Sequence, residues 1–324
     1  MDLNLGVVCM LKLSPVQRQV LAEITWNSRA SVEDLARHLS VRPHTVRYAI
    51  EQLTEMLHLH PFCFSDPFKQ GLIPHRILFS VDSSDLARRK KMIEFLVAAP
   101  EVIWLYEIFG RYQFLIALRT SGMQHLNLFL KAFDEKFGDI VVSKALGVLL
   151  RNAAFVPWEA HSGKEPRTAF AYRNENVEVL IDDVDRKLLE LFAKKPLASL
   201  GELSRAAGIP SSTVTYRVDK MVKNGVILGF SYSYDTRLAG NDSYLLLLKL
   251  HGLGGGADEQ FFDFCRDHPK VTRVARIQAE WDLEIDVDVE SVHQLNEVIH
   301  QIYKCGKGSV QEVVIHSWGQ AHKG

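Results

Sequence analysis

The sequence has few cysteines, no long apolar run and no excess of either charge. Its four cysteines, Cys9, Cys63, Cys265 and Cys305, are far apart, and none belongs to a C-x-x-C pair. This spacing argues against a disulfide framework and fits a reducing compartment. No uninterrupted apolar run approaches the roughly 20 residues that a membrane helix needs, and the N-terminus lacks the cationic region and cleavage site of a signal peptide. We therefore expect a soluble, cytoplasmic protein with no membrane partner.

The charge balance limits how the chain can meet nucleic acid. Lys and Arg number 38 against 39 Asp and Glu, which gives a formal net charge of −1. No global positive field would attract the chain to DNA, so any DNA contact must come from local clusters of side chains. With 324 residues and 47% hydrophobic content, the chain is long enough for two or more domains.

Residues 181–230 contain three helix-length apolar patterns separated by short polar breaks. An acidic run opens the first pattern and suits a helix N-terminus. Ser199 followed by Glu202 is a capping box that opens the second helix, and Gly208 ends it. The third helix begins near Ser211 and presents hydroxyls and cations away from its apolar face. This is the layout of a helix-turn-helix that reads DNA.

The same pattern occurs near the N-terminus. Aligning Leu13 with Ile181 matches the two segments without a gap, so that residues 45–48 (TVRY) match residues 213–216 (TVTY). Pro43 falls at the start of the third helix of this copy, where a missing amide costs nothing. The N-terminal segment is therefore predicted to be a second copy of the helix-turn-helix.

After each helical unit the patterns follow the order strand, helix, strand, strand, helix, strand. In the first copy the two helices are expected at residues 86–98 and 123–137, and in the second at residues 258–267 and 291–303. This order is typical of the ferredoxin-like fold, a four-stranded antiparallel sheet with helices on one face. Its other face needs a partner sheet. We predict an α+β chain of two winged helix-turn-helix domains and two ferredoxin-like βαββαβ ligand and dimerisation domains in tandem.

The domain boundaries follow from these patterns. A segment rich in charge, Gly, Pro and Asn separates the two copies and is predicted to be a linker. The predicted domains are residues 1–62 for the first helix-turn-helix, 72–155 for the first ligand-binding (RAM-like) domain, 156–179 for the linker, 180–232 for the second helix-turn-helix and 242–319 for the second ligand-binding domain.

The ordered series resembles the Lrp/AsnC (feast/famine) family of transcriptional regulators, duplicated head to tail. In the second copy, residues 211–214 (SSTV) and 217–218 (RV) resemble the recognition helix, and residues 225–230 (GVILGF) resemble the wing. The first copy departs from the pattern at residues 49–50 (AI) and 57–61 (LHLHP). The resemblance implies a DNA-binding N-terminal domain and an effector-binding domain. The latter dimerises through its sheet and assembles further, often with an amino acid as effector.

Candidate DNA contacts lie on the third helix of each copy. In the first copy, Arg42, His44 and Arg47 are well placed for phosphate or guanine. The complete set is Ser211, Ser212, Thr213, Thr215, Tyr216, Arg217, Lys220, Arg42, His44, Thr45, Arg47 and Tyr48. Three alternatives are open: packing of the two tyrosines beneath their helices, an internal salt bridge of Arg217 with an acid of the first helix, and a purely structural role for the first copy.

The resemblance places an effector pocket near a turn between the second and third strands of each ligand domain. Residues 110–113 (GRYQ) and 279–282 (AEWD) occupy this turn. The candidate effector contacts are Gly110, Arg111, Tyr112, Trp281 and Asp282. An aspartate suits an α-amino group, whereas an arginine favours an anion. An amino acid, another small ligand and no ligand are the alternatives here.

Two other residue clusters do not match the pattern of a metal site or a phosphate-binding loop. His58, His60 and Cys63, with His75 beyond, lack a second cysteine or a carboxylate to complete four zinc ligands. Residues 252–256 (GLGGG) lack the Lys-Ser/Thr of a phosphate loop and are expected to form a flexible loop. We predict no metal, no cofactor and no catalytic residue.

The sequence therefore predicts an oligomeric, sequence-specific transcriptional regulator that binds double-stranded DNA. A small effector such as an amino acid is expected to modulate its oligomeric state or its DNA affinity. Fused Lrp/AsnC-like chains of this size also include siroheme decarboxylases, which gives an enzyme as the alternative. A third hypothesis is a scaffold that only oligomerises.

Overall fold

The fold is given by a computed structural model, which describes residues 13–82, 84–156, 167–175, 179–234, 236–252 and 257–323. The helices in these ranges are α1 Pro15–Trp26, α2 Val32–Leu39, α3 Pro43–Leu57, α4 Leu86–Ala98, α5 Met123–Phe137, α6 Asp183–Lys194, α7 Leu200–Ala207, α8 Ser211–Lys223, α9 Ala257–Asp267 and α10 Val292–Gly306. None of the helices in these ranges is long and apolar enough to cross a membrane.

The strands alternate with these helices along the chain. They are β1 His60–Ser65, β2 Ile73–Val81, β3 Val102–Phe109, β4 Phe114–Thr120, β5 Val141–Phe155, β6 Thr168–Arg173, β7 Ile227–Ser233, β8 Asp242–Leu250, β9 Val271–Gln278, β10 Leu283–Val289 and β11 Val310–Lys323.

Helices α1–α3 and α6–α8 form the two helix-turn-helix units. The α6 N-terminus is held by a reciprocal capping box between Asp182 and Asp185, which satisfies amides that the helix leaves free. Gly208 turns the chain between α7 and α8 at φ +73°, and Ser40, at the same place in the first unit, adopts φ +55°. Both residues are in the left-handed region, so the two turns share one backbone conformation.

Each helix-turn-helix carries one wing strand, and the two strands pair with each other. The antiparallel register of β1 and β7 places Phe62 opposite Ser231 and Cys63 opposite Phe230. The 168-residue offset that aligns Leu13 with Ile181 also aligns Phe62 with Phe230 and Cys63 with Ser231. The pairing therefore looks the same from either strand, as it does across a two-fold axis.

The two βαββαβ units, which the sequence predicts to be ligand domains, have the predicted ferredoxin-like topology, and the prediction of the fold class is confirmed. Their sheets have the orders β5-β2-β4-β3 and β11-β8-β10-β9. The sheets are joined at β3–β11 and at β5–β9, so that eight strands close into a barrel. Equivalent residues pair at the two joints, with Phe109 opposite Ser317 and Gln278 opposite Val148. The partner that each open sheet face requires is thus the other half of the same chain.

The barrel interior is apolar over most of its length and charged near the wings. Leu78, Leu115, Leu245 and Leu247 belong to the apolar part. The charged part contains three buried side chains, Arg76, Arg273 and Glu284. Helices α4 and α5 cover the outside of one half and α9 and α10 the outside of the other, each over a core of its own.

The segment predicted as a linker contains strand β6, which pairs with β5 as an added ninth strand. Arg167, just before β6, is buried and donates from Nη1 to the carbonyl of His268 at 2.5 Å and from Nε to that of Val156 at 3.0 Å. The charge and glycine content of the segment suggested a linker, but residues 168–173 (TAFAYR) pair along the long β5 strand.

Candidate nucleic-acid interface

The third helix of each helix-turn-helix has one buried face and one face open to solvent. Val46 and Val214, at equivalent positions, are fully buried in the two units. Tyr48 and Tyr216 are 63% and 65% exposed. The alternative that these tyrosines pack beneath their helices is therefore wrong, and both rings lie on the solvent face.

On α3 the N-terminal part of the open face is cationic, whereas Glu51 and Glu55 are exposed further along the helix. Arg42, His44 and Arg47 are exposed, and Thr45 is half-buried. Within the described residues, no carboxylate forms an ion pair with either arginine. Both guanidinium groups are therefore free to donate to another molecule.

On α8 the open face carries hydroxyl groups near its start and the lysines Lys220 and Lys223 in its last turn. Ser211, Ser212 and Lys220 are exposed, while Thr213 and Thr215 are half-buried. The Thr215 hydroxyl donates to the Ser211 carbonyl at 3.0 Å. Because this hydroxyl is engaged, the methyl group is the part of Thr215 that remains for an apolar contact.

Arg217 forms the internal salt bridge that the sequence left as an alternative. Its Nη1 donates to Asp182 Oδ2 at 2.5 Å and to Asp185 Oδ2 at 3.3 Å. The hydrogen bond to Asp182, with the charge of Asp185, raises the pKa of the Arg217 guanidinium above its ordinary value. The α8 arginine is thus neutralised by the acids at the start of α6.

The two helix-turn-helix units are docked onto each other. Arg29 Nη1 donates to the carbonyls of Pro196 at 2.8 Å and Ala198 at 2.9 Å, and its guanidinium lies 4.9 Å from the ring centre of Phe230. The Ser231 hydroxyl donates to the Thr25 carbonyl at 2.8 Å. These contacts, with the paired wings, hold α3 and α8 in one fixed arrangement.

The predicted effector turns meet at the barrel end away from the wings. The Tyr112 hydroxyl donates to Glu280 Oε1 at 2.5 Å, and Arg111 Nη1 lies 3.4 Å from the same oxygen. Burial and that hydrogen bond raise the pKa of Tyr112 to about 12. Tyr112 and Trp281 are each 3% exposed, so their rings belong to the core. Gly110 packs against His316, where a Cβ would come within 2.7 Å of the ring.

Asp282 is engaged within its own half of the chain. It accepts from the Leu250 backbone N–H at 2.8 Å and lies 3.5 Å from Lys249 Nζ. Of the candidate effector residues, only Arg111 presents a largely exposed side chain. The sequence predicted a pocket near these two turns. It did not show that the side chains of the turns pack against each other there.

A cleft of about 270 Å³ lies between the wings and the barrel. It is lined by Asp66, Phe68, Lys69, Arg151, Ala171, Tyr172, Arg173, Glu175 and Leu228. Sequence reasoning missed it because its residues come from four distant segments.

Within the cleft, Asp66 is buried, and burial raises the pKa of its carboxyl. Asp66 Oδ1 accepts from the backbone N–H of Phe68 at 2.9 Å. No described residue is hydrogen-bonded to Oδ2, so this oxygen is available to another molecule.

The cleft is connected to the second helix-turn-helix. Lys69 Nζ donates to the carbonyl of Asn224, the residue that ends α8, at 2.9 Å. The Asp66 backbone N–H donates to the Val226 carbonyl at 3.0 Å. A molecule in this cleft would therefore touch the groups that fix the end of α8.

The histidine and cysteine residues considered for zinc do not come together. Across the described ranges, no group of three or more His, Cys, Asp or Glu side chains is placed to hold a metal ion. His75 is instead buried with its Nε2 2.9 Å from the Thr120 hydroxyl. The glycine-rich loop falls largely on residues 253–256, outside the described residues.

Two helix-turn-helix units with paired wing strands have the fold of the winged helix-turn-helix DNA-binding class. The family model described as winged helix-turn-helix DNA-binding matches residues 181–227. An uncharacterised HTH-type transcriptional regulator of Pyrococcus furiosus is 30% identical over 125 residues, which are 38% of this chain and 79% of that protein. A similar regulator of Pyrococcus horikoshii is 26% identical over 141 residues, which are 43% of this chain and 93% of that protein.

The chain belongs to the HTH-type transcriptional regulators, and the resemblance to the Lrp/AsnC family is confirmed. Its whole length also resembles the crystal structure of the siroheme decarboxylase NirDL, with a TM-score of 0.62 over 95% of this chain and 92% of that one. At 13% identity, this likeness shows the fold alone.

Proposed function

We propose that the chain is a sequence-specific DNA-binding regulator that inserts α3 and α8 into the major groove. The observation that carries this proposal is the solvent-facing polar surface of both helices on a rigid scaffold. Arginine and hydroxyl side chains at the head of such a helix suit contacts to base edges and phosphates. We assign Arg42, His44, Thr45, Arg47, Tyr48, Ser211, Ser212, Thr213, Thr215, Tyr216 and Lys220 to the interface, with Arg217 as a positioning residue.

Removing the two free arginines of α3 should weaken DNA binding strongly. We expect R42A/R47A to lose at least ten-fold in affinity for DNA selected from a random library, because Arg is the side chain best suited to guanine and phosphate. The salt dependence of log K should become shallower by about 0.9 for each phosphate that the variant no longer neutralises. Fluorescence anisotropy titrations at several salt concentrations measure both quantities.

Lys131→Ala is the matched control for this experiment, because Lys131 is an exposed cation on α5, far from α3 in the chain. It should leave affinity and salt slope unchanged. Equal losses in the two variants would mean that α3 does not meet DNA.

We further propose that a small zwitterion such as an amino acid modulates DNA affinity by binding in the cleft between wings and barrel. A volume of about 270 Å³ lies just below the roughly 300–1,000 Å³ of sites for drug-sized ligands. Asp66 Oδ2 suits an ammonium group, and Lys69 and Arg173 suit a carboxylate. Engaging Lys69 would release the Asn224 carbonyl and so alter the support of α8.

The Asp66→Asn variant tests this effector site. Asparagine keeps the oxygen that accepts from Phe68 and removes the charge that an ammonium group needs. We expect an amino acid that raises the melting temperature of the parent protein to have no effect on this variant. The 20 amino acids, added singly in thermal-shift assays, supply the measurement.

Arg111→Gln, at the opposite barrel end, is the control for the predicted effector turns. It should respond to the amino acid as the parent does. Loss of the response in Arg111→Gln with retention in Asp66→Asn would assign the effector to the turns formed by Gly110, Arg111, Tyr112, Trp281 and Asp282.

Homo-oligomerisation belongs to the same proposal. Because the open sheet faces already pair within the chain, larger assemblies would form through the outer surface. Light scattering on the purified protein measures the number of chains per particle.

The alternative function is siroheme decarboxylation, favoured by the whole-length fold similarity to NirDL. A solved complex of that enzyme contains an iron-uroporphyrin III analogue. Incubation of the purified chain with siroheme, followed by chromatography of the tetrapyrroles, separates the two functions. A decarboxylated product would identify an enzyme.

A further inference from the structure

The two recognition helices occupy equivalent positions about one pseudo-two-fold axis but carry different chemistry. The wing register and both barrel joints repeat when the halves are exchanged. In a homodimer such an axis places identical helices on two half-sites, which makes the operator palindromic. Here the symmetric placement is retained, but the two recognition helices have different sequences.

Residues 168 positions apart in the sequence are equivalent, and comparing them shows where the two recognition helices differ. Arg42 of α3 corresponds to Pro210, His44 to Ser212 and Arg47 to Thr215. Three groups that donate to guanine or phosphate on one helix are thus replaced by a proline, a serine and a threonine on the other. Thr45 and Thr213 are the same, as are Tyr48 and Tyr216, and both tyrosines are exposed.

The arginine of α8 is a further difference between the two helices. Arg217 corresponds to Ala49 and is bound by Asp182 and Asp185. The residues of the first unit that correspond to these two acids are Ser14 and Gln17, which cap each other without a negative charge. The head of α3 therefore carries free guanidinium groups, whereas the arginine of α8 is neutralised from within. The exposed cations of α8 are instead the lysines Lys220 and Lys223, in its last turn.

We propose that a single chain reads an asymmetric operator whose two half-sites differ in sequence. This inference rests on the proposed function. Arg42 and Arg47 select guanine in one half-site, since paired N–H donors match guanine O6 and N7. The α8 half-site is read through hydroxyls and the methyl group of the half-buried Thr215, which suits a thymine methyl group.

The test is selection of bound DNA from a random library by the full chain, followed by sequencing. We expect two unlike half-sites, with guanine fixed in one of them. Operators rebuilt with either half-site repeated in inverted orientation should bind about ten-fold or more weakly than the selected sequence. Titration of a single-operator duplex should saturate at one chain per duplex.

Two variants assign each half-site to its helix. Arg47→Ala should relax the guanine preference in one half-site only. Thr215→Ser keeps the hydroxyl bond to Ser211 and removes the methyl group, so it should relax a thymine preference in the other half-site only. Both residues lie on the open faces, and circular dichroism checks that both variants remain folded.

A selected palindrome would overturn the inference and leave the proposed function standing. The same holds if both variants relax one half-site, or if each operator takes two chains. Absence of any selected sequence would overturn the proposed function as well.

Discussion

Lowering the pH from 7.5 to 5.0 is expected to reduce the free energy of unfolding by about 2 to 4 kcal/mol, because His75 and His316 are buried as neutral rings. Burial lowers the pKa of His75 to about 4. Burial, and secondarily the charge of Arg111, lowers the pKa of His316 to about 4. His316 Nε2 accepts from the Tyr112 backbone N–H, so the neutral ring carries its proton on Nδ1, and a second proton on Nε2 would break that hydrogen bond. His75 Nδ1 has no hydrogen-bond partner among the described residues.

The sign follows from proton binding in the two states. An unfolded histidine has a pKa near 6.5. Below that pH the two histidines therefore bind protons in the unfolded chain but not in the folded chain. The stabilisation is complete above pH 6.5 and is lost as the pH falls towards 4. At pH 5.0 this amounts to roughly 1 to 2 kcal/mol per histidine after allowance for solvent screening.

Urea unfolding followed by tryptophan fluorescence at the two pH values measures the effect. His316→Gln retains an acceptor for the Tyr112 backbone N–H, which lies 3.3 Å from His316 Nε2. This variant should lose about half of the pH dependence. An unchanged slope would show that His316 does not titrate as inferred.

Replacing Glu284 by glutamine is expected to cost about 3 to 5 kcal/mol, the usual loss when one partner of a buried ion pair is removed. Glu284 is fully buried inside the barrel. It accepts from Arg76 Nε at 3.2 Å and from Arg273 Nη2 at 2.8 Å. Burial opposes its ionisation, but the charges of Arg76 and Arg273 outweigh this and lower the pKa of Glu284 below its ordinary value.

The consequence for the fold is large because the pair joins the two halves of the chain. Arg76 lies on β2 of the first βαββαβ unit and Glu284 on β10 of the second. Arg273 keeps a second carboxylate, Asp286, at 2.6 Å, whereas Arg76 would keep no acid within ion-pair distance in the described structure. Equilibrium urea unfolding measures the loss.

The repeat itself supplies the matched control. The residues equivalent to Arg76 and Glu284 in the other half are Leu245 and Leu115, both buried. The double variant R76L/E284L removes both charges together and should be far less destabilised than Glu284→Gln. Asp139→Asn, which breaks the exposed pair with Arg88, should leave stability unchanged. A double variant as unstable as the single one would show that packing, not charge, governs this site.

Sequence patterns predicted the elements well where one face of the element is buried locally. Helices α4 and α5 begin and end at the predicted residues, because the positions of their apolar residues depend only on helix geometry. Strand β6 was missed since its pairing partner, and not its composition, makes it a strand. The salt bridge of Arg217 appeared among the alternatives because acids precede the first helix of that unit.

The sequence alone could not show how the two halves of the chain pair. The repeat allowed the sheets to pair within one chain or between chains, and only the register at β3–β11 and β5–β9 shows the first arrangement. Likewise, no local pattern links Asp66 with Arg151 or Leu228, which share a cleft only through the fold. Long-range pairing depends on the sum of many weak contacts, which a linear pattern does not record.

Closure of the eight strands within one polypeptide has a consequence for gene dosage. A regulator assembled from separate subunits loses its paired form on dilution, so occupancy of its target rises steeply with the amount of protein. In this chain the paired form has no subunit dissociation step. If a single chain binds its operator as proposed, occupancy would then rise in simple proportion to the amount of protein at low copy number, without a threshold.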